Sequence, residues 1–129
     1  MIGVKQSASD PKTLADLLLV APESARIFSA VDALLYRSFA LGAHGSIAAI
    51  LTAVPECCVA LWAAVCAGDH ARALELHGKP LRVRNAIDAP DLPANVKTAM
   101  ELQGRHGGRP RAPMPSSSPS QREKVRNAL

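Results

Sequence analysis

Residues 2–11 have the sequence IGVKQSASDP, in which a short apolar run passes into a polar loop and then into a helix start. The apolar run from Ile2 is typical of a buried strand. Asp10 followed by Pro11 is typical of a helix N-terminus, because Asp accepts hydrogen bonds from free backbone N–H groups and proline tolerates the first helical position. This segment therefore predicts a strand, a loop and a helix, with Lys5 at the carboxyl end of the strand.

The order of a strand followed by a helix recurs before residue 55. Pro22 ends the first helix, residues 26–30 are predicted to form a second strand, and Asp32 is predicted to cap a second helix. Residues 45–50 are predicted to form a third, fully buried strand. Strands that alternate with helices over short connections predict parallel strands with helices packed on one or both faces.

The rest of the chain is predicted to be helical, apart from one irregular segment. Helices are expected at residues 55–67, from about residue 70, at 94–102 and at 121–129, because proline, aspartate and glycine mark their ends. Residues 107–120 hold four prolines and four serines, and this composition predicts an irregular connection.

Composition limits the functions that these elements can serve. The 129 residues fit one domain, and 48% hydrophobic against 20% charged residues argue against wholesale disorder. Only 3% are aromatic, which leaves almost no stacking platform for single-stranded nucleic acid. The net charge of +4 is concentrated in the tail, since residues 104–129 have six basic residues and one acidic residue. No recognition motif accompanies this charge, so we expect no nucleic-acid partner.

The cysteines and the apolar stretch around them favour a cytoplasmic protein with no membrane segment. The chain has an odd number of cysteines, without CxxC spacing: Cys57, Cys58 and Cys66. We therefore expect reduced thiols. Cys58 and Cys66 are predicted to face the core and Cys57 to turn away. A Pro-Glu pair divides the apolar residues 46–67 into pieces too short for a span, and the N-terminus lacks a signal-peptide pattern.

Lys5 is the candidate reactive group. Functional groups of parallel α/β folds lie at the carboxyl ends of strands. A lysine that is partly desolvated there can act as an amine nucleophile and form a Schiff base with a carbonyl substrate. The spacing alone leaves open the alternative that Lys5 is a solvated loop residue.

The remaining residue patterns predict neither a metal nor a cofactor. His70 and His77 could share a helix face, but no third ligand accompanies them. The glycines at 104–108 lack the flanking strand and the lysine of a phosphate loop. Tyr36, the only tyrosine, falls inside a predicted helix and is expected to pack there.

Residues 3–10, GVKQSASD, resemble the Gly-[Ile/Val]-Lys-[Asp/Glu]-Ser-[Ser/Thr]-Gly-Asp motif of the dihydrodipicolinate synthase and N-acetylneuraminate lyase family. Other segments resemble the family's later motifs, in the family's order. These segments are FSAVD at 28–32, GAHGSI at 42–47, PE at 55–56, GDHARALEL at 68–76, PANVKTA at 93–99 and RPRAPMP at 109–115. The resemblance extends over essentially the whole chain.

The resemblance implies an α/β fold that is the C-terminal part of a (β/α)8 TIM barrel. Strands six to eight with their helices would be followed by a C-terminal helical extension, and the chain would be mostly helical by residue count. A complete barrel needs ~200 residues at the least, so the chain is too short for one. The implied division is a partial barrel at 1–54, a barrel-closing helix and C-terminal helices at 55–104, and a Pro/Ser/Arg-rich segment with a terminal helix at 105–129.

The resemblance also implies a class I lyase or aldolase. The lysine matching Lys5 forms a Schiff base with pyruvate or another 2-oxo acid, and a carbon–carbon bond is made or broken beside it without a cofactor. A protonated imine stabilises a developing carbanion far better than a neutral ketone does. Ile47, at the strand-eight position near the site, is the implied substrate-binding residue. Synthase, lyase and dehydratase chemistry all remain open.

Departures from the family pattern bear on activity. Gln6 replaces an acid, and Ala8 and Ser9 replace a hydroxyl residue and a glycine. The family's carboxylate-binding Gly-Thr-Thr-Gly-Glu segment and its Tyr-Asn-x-Pro segment are not in this chain. We therefore expect no turnover by the chain alone, and either a homo-oligomer or a partner chain that supplies the missing strands. The alternatives are a non-catalytic remnant that acts as an assembly or binding module, and an unrelated small helical protein.

Overall fold

A computed structural model of the protein describes residues 2–129. Strands and helices alternate in the first part of that range, and the remainder is helical with one irregular stretch. The elements are β1 (Gly3–Gln6), α1 (Pro11–Val20), β2 (Arg26–Ser29), a 3-10 turn (Asp32–Leu34), α2 (Leu35–Ala40), β3 (Gly45–Ser46), α3 (Ile50–Ala53), α4 (Pro55–Cys66), α5 (His70–Ile87), α6 (Leu92–Leu102) and α7 (Pro119–Ala128). The expectation of a mostly helical α/β chain is confirmed, because helices hold 58% of the residues.

The three strands form one parallel sheet in the order β1-β2-β3. Lys5 of β1 is aligned with Phe28 of β2, and Phe28 is aligned with Gly45 of β3. In the part of the chain that the structure describes, β1 and β3 each pair with β2 alone. The predicted parallel arrangement is therefore confirmed, and among residues 2–129 each outer strand has one edge without a neighbour.

Helix α1 covers one face of this sheet and begins where the sequence predicts. Asp10 Oδ1 accepts a hydrogen bond from the Lys12 backbone N–H at 2.9 Å, which satisfies one of the free donors at the helix start. Leu14 of α1 and Ile27 of β2 are buried in the same apolar cluster, and Val4 of β1 packs against it. This small core holds the sheet to its helix.

The third strand is shorter than predicted, and the prediction of a strand over residues 45–50 is wrong beyond Ser46. Asp32 is the reason, because its Oδ1 accepts a hydrogen bond from the Ile50 backbone N–H at 2.8 Å and α3 begins there. The prediction that Asp32 caps its own helix is also wrong, since no side-chain cap hydrogen bond is made at the start of the 3-10 turn or of α2. Asp32 instead satisfies the first N–H of a helix that lies 18 residues further along the chain.

Helices α2 to α7 enclose a second, larger core. The rings of Phe39 and Trp62 meet edge to face with centroids 4.8 Å apart and an interplanar angle of 83°. Val125 of α7 is fully buried and closes this core from the C-terminal side. Its other large, fully buried members are Leu35, Ile50, Leu61, Val83 and Ile87.

The burial of the three cysteines differs from the prediction. Cys58 is buried, as expected, but Cys57 is half-buried and packs against the core instead of turning away, and Cys66 is exposed. Eight residues advance an α-helix by about 800°, so Cys66 lies roughly 80° around the axis from Cys58. It is also the last residue of α4, where the helix leaves the core. Leu61, three residues after Cys58, takes the fully buried position on that face.

Helices α6 and α7 each begin two residues before the predicted positions, at Leu92 and Pro119. In both helices a proline lies in the first turn, where its missing N–H has no intrahelical partner to lose. The Ser118 hydroxyl accepts a hydrogen bond from the Gln121 backbone N–H at 3.1 Å and so caps α7. The sequence prediction treated these prolines as part of the preceding loops.

The segment before α7 has no regular helix or strand over residues 103–118, in agreement with the predicted irregular connection. It is tied to α6 by side-chain hydrogen bonds. Lys97 Nζ donates to the Gly107 carbonyl at 2.6 Å, and the Ser117 hydroxyl donates to Asn95 Oδ1 at 2.7 Å. Within residues 2–129, no helix combines the length and the apolar character that crossing a membrane requires.

Candidate active site around Lys5

Lys5 lies on the uncovered face of the sheet. Side chains of a strand alternate between its two faces, and the aligned pair Val4 and Ile27 packs toward α1. The next aligned pair, Lys5 and Phe28, therefore points to the opposite side. Lys5 is exposed there, one residue before the end of β1. The structure thus places the predicted nucleophile near the carboxyl end of its strand, on a face that the described part of the chain leaves open.

The surface beside Lys5 is shaped by one aromatic ring and two glycines. A Cβ atom at Gly3 would lie 3.2 Å from Phe28 Cε2 and 2.8 Å from the Arg26 carbonyl oxygen, which is too close. A Cβ atom at Gly45 would lie 3.3 Å from two carbons of the Phe28 ring, and its φ of +155° favours glycine. The ring of Phe28 therefore occupies the space over both outer strands, next to Lys5.

On the opposite face, polar side chains organise the loop that follows Lys5. Gln6 is buried, and its Nε2 donates to the Ala8 carbonyl at 3.1 Å. The Ala30 backbone N–H donates to the Gln6 carbonyl at 2.8 Å, which joins the ends of β1 and β2. The Ser38 hydroxyl donates to Ser29 Oγ at 2.9 Å beneath them. Gln6 thus holds the loop by a neutral hydrogen bond.

An ion pair joins the strand ends to the helical part of the molecule. Arg84 Nε of α5 lies 3.1 Å from Asp32 Oδ2, with the two side chains 20% and 10% exposed. Arg84 Nη1 lies 2.9 Å from Asp88 Oδ1. Since Asp32 also accepts the Ile50 N–H, three segments of the chain meet at one carboxylate. No local sequence feature predicts the role of Arg84, because its partner Asp32 lies 52 residues away along the chain.

A cleft of about 480 Å³ lies at this end of the sheet, lined by Ser7 and Ser9 from the loop after β1, residues 30–34 and Arg84. Ile47, the predicted substrate-binding residue, lies just after β3 and is 50% exposed. Its N–H donates to the Ser29 carbonyl at 2.9 Å. Lys5 and Ile47 are both at the carboxyl end of the sheet, but two strand spacings of about 4.8 Å each separate them.

The other reactive side chains lie apart from this site. Burial raises the pKa of Cys58 to about 12, with the nearby Cys57 and Asp32 adding to the effect, so this thiol stays protonated and inert. Tyr36 packs as predicted, with its ring centroid 6.2 Å from that of His70 and 6.3 Å from that of His77. Across residues 2–129, no three His, Cys, Asp or Glu side chains are grouped as metal ligands would be.

Comparisons with known proteins identify the family to which the chain is similar. The model of the dihydrodipicolinate synthetase family matches residues 1–129. The 4-hydroxy-tetrahydrodipicolinate synthase of Symbiobacterium thermophilum is 36% identical over the whole chain, which covers 44% of that enzyme. The chain spans less than half the length of the curated relatives that it matches.

Solved structures of the family also match almost the whole of this chain with less than half of their own length. The crystal structure of dihydrodipicolinate synthase from Aquifex aeolicus matches with a TM-score of 0.89 and 27% identity, over 100% of this chain and 44% of that one. YagE of Escherichia coli K12, a family member solved in complex with pyruvate, matches in fold with a TM-score of 0.86 at 22% identity, over 98% of this chain and 44% of that one. The fold is therefore part of a (β/α)8 barrel, as predicted. This chain belongs to the dihydrodipicolinate synthetase family.

Proposed function

We propose that this chain carries the lysine-bearing part of a Schiff-base carbon–carbon lyase or synthase, with Lys5 as the nucleophile. The observation that carries the proposal is the placement of Lys5 near the carboxyl end of β1, on the face opposite α1. In a (β/α)8 barrel the helices lie outside, so the face opposite the helices is the barrel interior. Active sites of such barrels form at the carboxyl ends of the strands.

The proposed chemistry is amine catalysis on a 2-oxo acid. The neutral Lys5 amine attacks the keto carbon of pyruvate, the hydroxyl of the resulting carbinolamine takes up a proton from the solvent and leaves as water, and a protonated imine remains. The imine nitrogen accepts the electron pair that is left when a proton or a carbon group departs from the neighbouring carbon. A carbonyl partner then forms the new bond, or the reverse reaction releases it, and water hydrolyses the imine. Pyruvate is the first candidate because YagE binds it.

The chain alone is expected to lack this activity. Lysine amines become neutral nucleophiles by desolvation, and Lys5 is exposed on an open face. The carboxylate-binding and proton-relaying segments that the family resemblance implies are not in the sequence. Activity therefore requires strands that close the barrel over Lys5, supplied by further chain or by a partner. We expect the assembled protein in the cytoplasm, where its three free cysteines stay reduced.

Borohydride trapping with pyruvate tests the proposal. The chain is treated alone and together with the part of the Symbiobacterium thermophilum relative that lies outside its match to this chain. Peptide mass mapping then compares the adduct at Lys5 with that at Lys12, Lys79, Lys97 and Lys124. We expect slow, unselective trapping by the chain alone and selective trapping at Lys5 in the assembled protein. Lys5→Arg, which keeps the charge but cannot form the imine, is the control.

Two outcomes would contradict parts of the proposal. Selective trapping on Lys5 in the isolated chain would support Lys5 as the nucleophile but contradict the expected inactivity of the chain alone, because three strands would then suffice to activate the amine. Unselective trapping in a purified, folded assembly would favour the alternative, a non-catalytic remnant that serves as an assembly or binding module. The isolated chain is also expected to be poorly soluble or oligomeric, since two strand edges are open. A monodisperse, cooperatively melting monomer in size-exclusion chromatography and calorimetry would contradict that expectation.

A further inference from the structure

His77 of α5 is a half-buried histidine whose ring contacts two other elements. Its ring centroid lies 6.3 Å from that of Tyr36 on α2, with an interplanar angle of 40°. A backbone hydrogen bond at Ala33 joins the imidazole to the 3-10 turn. The Nδ1 atom is buried and has no hydrogen-bond partner among residues 2–129. The imidazole is therefore held between α5, α2 and the turn, in a place that offers it a single acceptor.

These surroundings suit the neutral imidazole and not the protonated one. A neutral imidazole has one N–H donor, whereas the imidazolium has two and carries a charge. The second donor of the imidazolium would be buried without an acceptor, which costs free energy. In agreement with this geometry, burial lowers the pKa of His77 below its ordinary value of 6.5.

The carboxylate closest along the turn is not free to compensate that charge. Asp32 directly precedes Ala33, and both of its oxygens are occupied. Oδ1 accepts the Ile50 N–H at 2.8 Å, and Oδ2 lies 3.1 Å from Arg84 Nε. Protonation of His77 therefore gains no ion pair from the 3-10 turn.

The other elements that pack against α5 supply no anion to His77 either. The Tyr36 hydroxyl of α2 lies 3.5 Å from His70 Nδ1. Burial keeps the Cys58 thiol of α4 protonated, with a pKa of about 12, and Glu56 of α4 lines a separate cleft. Helix α3 has no ionisable side chain, and α6 and α7 form hydrogen bonds with α5 near its end. The neighbours of His77 on its own helix face are also not ionisable: Ala73, Leu74, Pro80 and Leu81.

The 3-10 turn connects His77 to the candidate active site. Residues 30–34 line the cleft of about 480 Å³ at the carboxyl end of the sheet. Ala33, which contacts His77, is next to the carboxylate at which α3 and Arg84 meet. A displacement of Ala33 would therefore move a wall of the cleft and the contact that joins the sheet to the helices.

We infer that His77 is a proton-sensitive switch that fixes the 3-10 turn beside the cleft. The neutral ring holds the turn against α5. When the ring takes up a proton from the solvent, the imidazolium leaves its buried position, the contact at Ala33 is lost, and residues 30–34 loosen while the rest of the helical core remains packed. The inference concerns the wall of the cleft and does not depend on the chemistry proposed for Lys5.

Hydrogen–deuterium exchange followed by mass spectrometry tests the inference on the full chain between pH 5 and 7.5, with labelling times corrected for the intrinsic exchange rate. We expect residues 30–36 to lose protection as the pH falls below about 6.5, because the open turn binds a proton more readily than the closed one. Uptake of one proton limits this loss to about tenfold per pH unit. At every pH these residues should exchange before α6, whose exchange reports global unfolding.

Two substitutions of His77 separate its charge from its packing. His77→Gln is neutral throughout this range and should abolish the pH dependence of exchange at residues 30–36. His77→Arg carries a permanent charge and should show at pH 7.5 the low protection that the natural chain shows at pH 5. His106→Gln and His106→Arg, at an exposed histidine, are the matched controls and should behave as the natural chain does. Lys5→Arg should also keep the response, which separates this inference from the proposed function.

Two results would each overturn the inference. A pH dependence at residues 30–36 that persists in His77→Gln would assign it to another group. Equal exchange of residues 30–36 and α6 would show that the turn opens only when the whole chain unfolds. If His77→Arg does not fold, the comparison of His77→Gln with His106→Gln still decides between the outcomes.

Discussion

The helical and sheet parts of the molecule differ in how completely they are packed. The core enclosed by α2 to α7 has thirteen buried members, whereas the cluster between α1 and the sheet has four. Within the described part of the chain, the helices around the larger core cover one another, whereas the sheet is covered by α1 on one face only. The part of the chain with the candidate nucleophile is therefore also the part least able to hold its structure without a partner.

The surface of the sheet part leads to the same conclusion. Leu19 and Val20, at the end of α1, are largely exposed, as is Ile2 before β1. Isolated exposed apolar residues are common, but Ile2 directly precedes a strand that, within residues 2–129, has no neighbour on its outer side. A covering partner at this edge would stabilise the sheet and desolvate Lys5 in one step, so stability and reactivity should rise together.

The largest expected effect distinguishes the two cores. Leu61→Ala removes a fully buried side chain from the helical core and should lower the free energy of unfolding by about 2–5 kcal/mol. Leu14→Ala, in the one-sided sheet core, should cost less, because its surroundings can collapse or admit water. Urea denaturation followed by circular dichroism measures both. Equal losses at the two positions would contradict the proposed difference, and Leu74→Ala, on an exposed site, is the control.

The ion pair between Arg84 and Asp32 joins the two parts, and its removal is expected to cause the next largest loss of stability. Arg84→Met removes the partner of Asp32 and should lower the free energy of unfolding by about 1–3 kcal/mol, since a largely buried carboxylate loses a charged hydrogen bond. Combining it with Asp32→Asn forms a double-mutant cycle that isolates the pair. Additive losses in that cycle would mean that Asp32 acts through the Ile50 N–H alone. Lys12→Met, which removes an exposed ion pair, is the matched control.

A smaller effect is the pH dependence that His77 confers on the helical part. Burial lowers the pKa of His77 below its ordinary value of 6.5, and a backbone hydrogen bond at Ala33 partly opposes this. The unfolded chain therefore binds a proton at a higher pH than the folded chain does. Stability is complete above about pH 6.5 and falls as the pH drops from there toward the lowered pKa.

Thermal melts between pH 5 and 8 measure this loss. His77→Gln should flatten the slope of stability against pH below about 6.5. His106→Gln, at an exposed histidine, should leave that slope unchanged. A slope that is the same in both variants and in the natural chain would contradict the assignment to His77.

Local sequence signals predicted those elements whose stabilising contacts are close along the chain. Asp10 and Pro11 begin α1 because the capped N–H belongs to Lys12, two residues away. Pro55 begins α4 without a side-chain cap, because proline tolerates the first helical position. The position of Lys5 at a strand end followed from residues 3–10, which contain both the strand and its loop.

The features that sequence analysis missed depend on distant contacts. The third strand ends early because Asp32 accepts a hydrogen bond from the Ile50 N–H, and no residue near position 50 predicts that contact. Arg84 meets Asp32 only after α5 has packed beside the 3-10 turn. The apolar residues of a segment predict that it is buried. They do not predict which of its backbone N–H groups will donate to a distant side chain, nor which charged side chains will pair, so both features were missed.

The smallest expected effect on stability concerns the two cysteines that the helical periodicity separates. Cys66→Ser should change the free energy of unfolding by less than about 0.5 kcal/mol, because Cys66 is exposed. Cys58→Ser places a hydroxyl in the core and should cost more. Thiol labelling of the folded chain near pH 8 should modify Cys66 fast and Cys58 slowly, since burial shields Cys58 and raises its pKa to about 12. If Cys58 were labelled as fast as Cys66, the helical core would be opening as readily as the sheet, and the difference between the two parts would disappear.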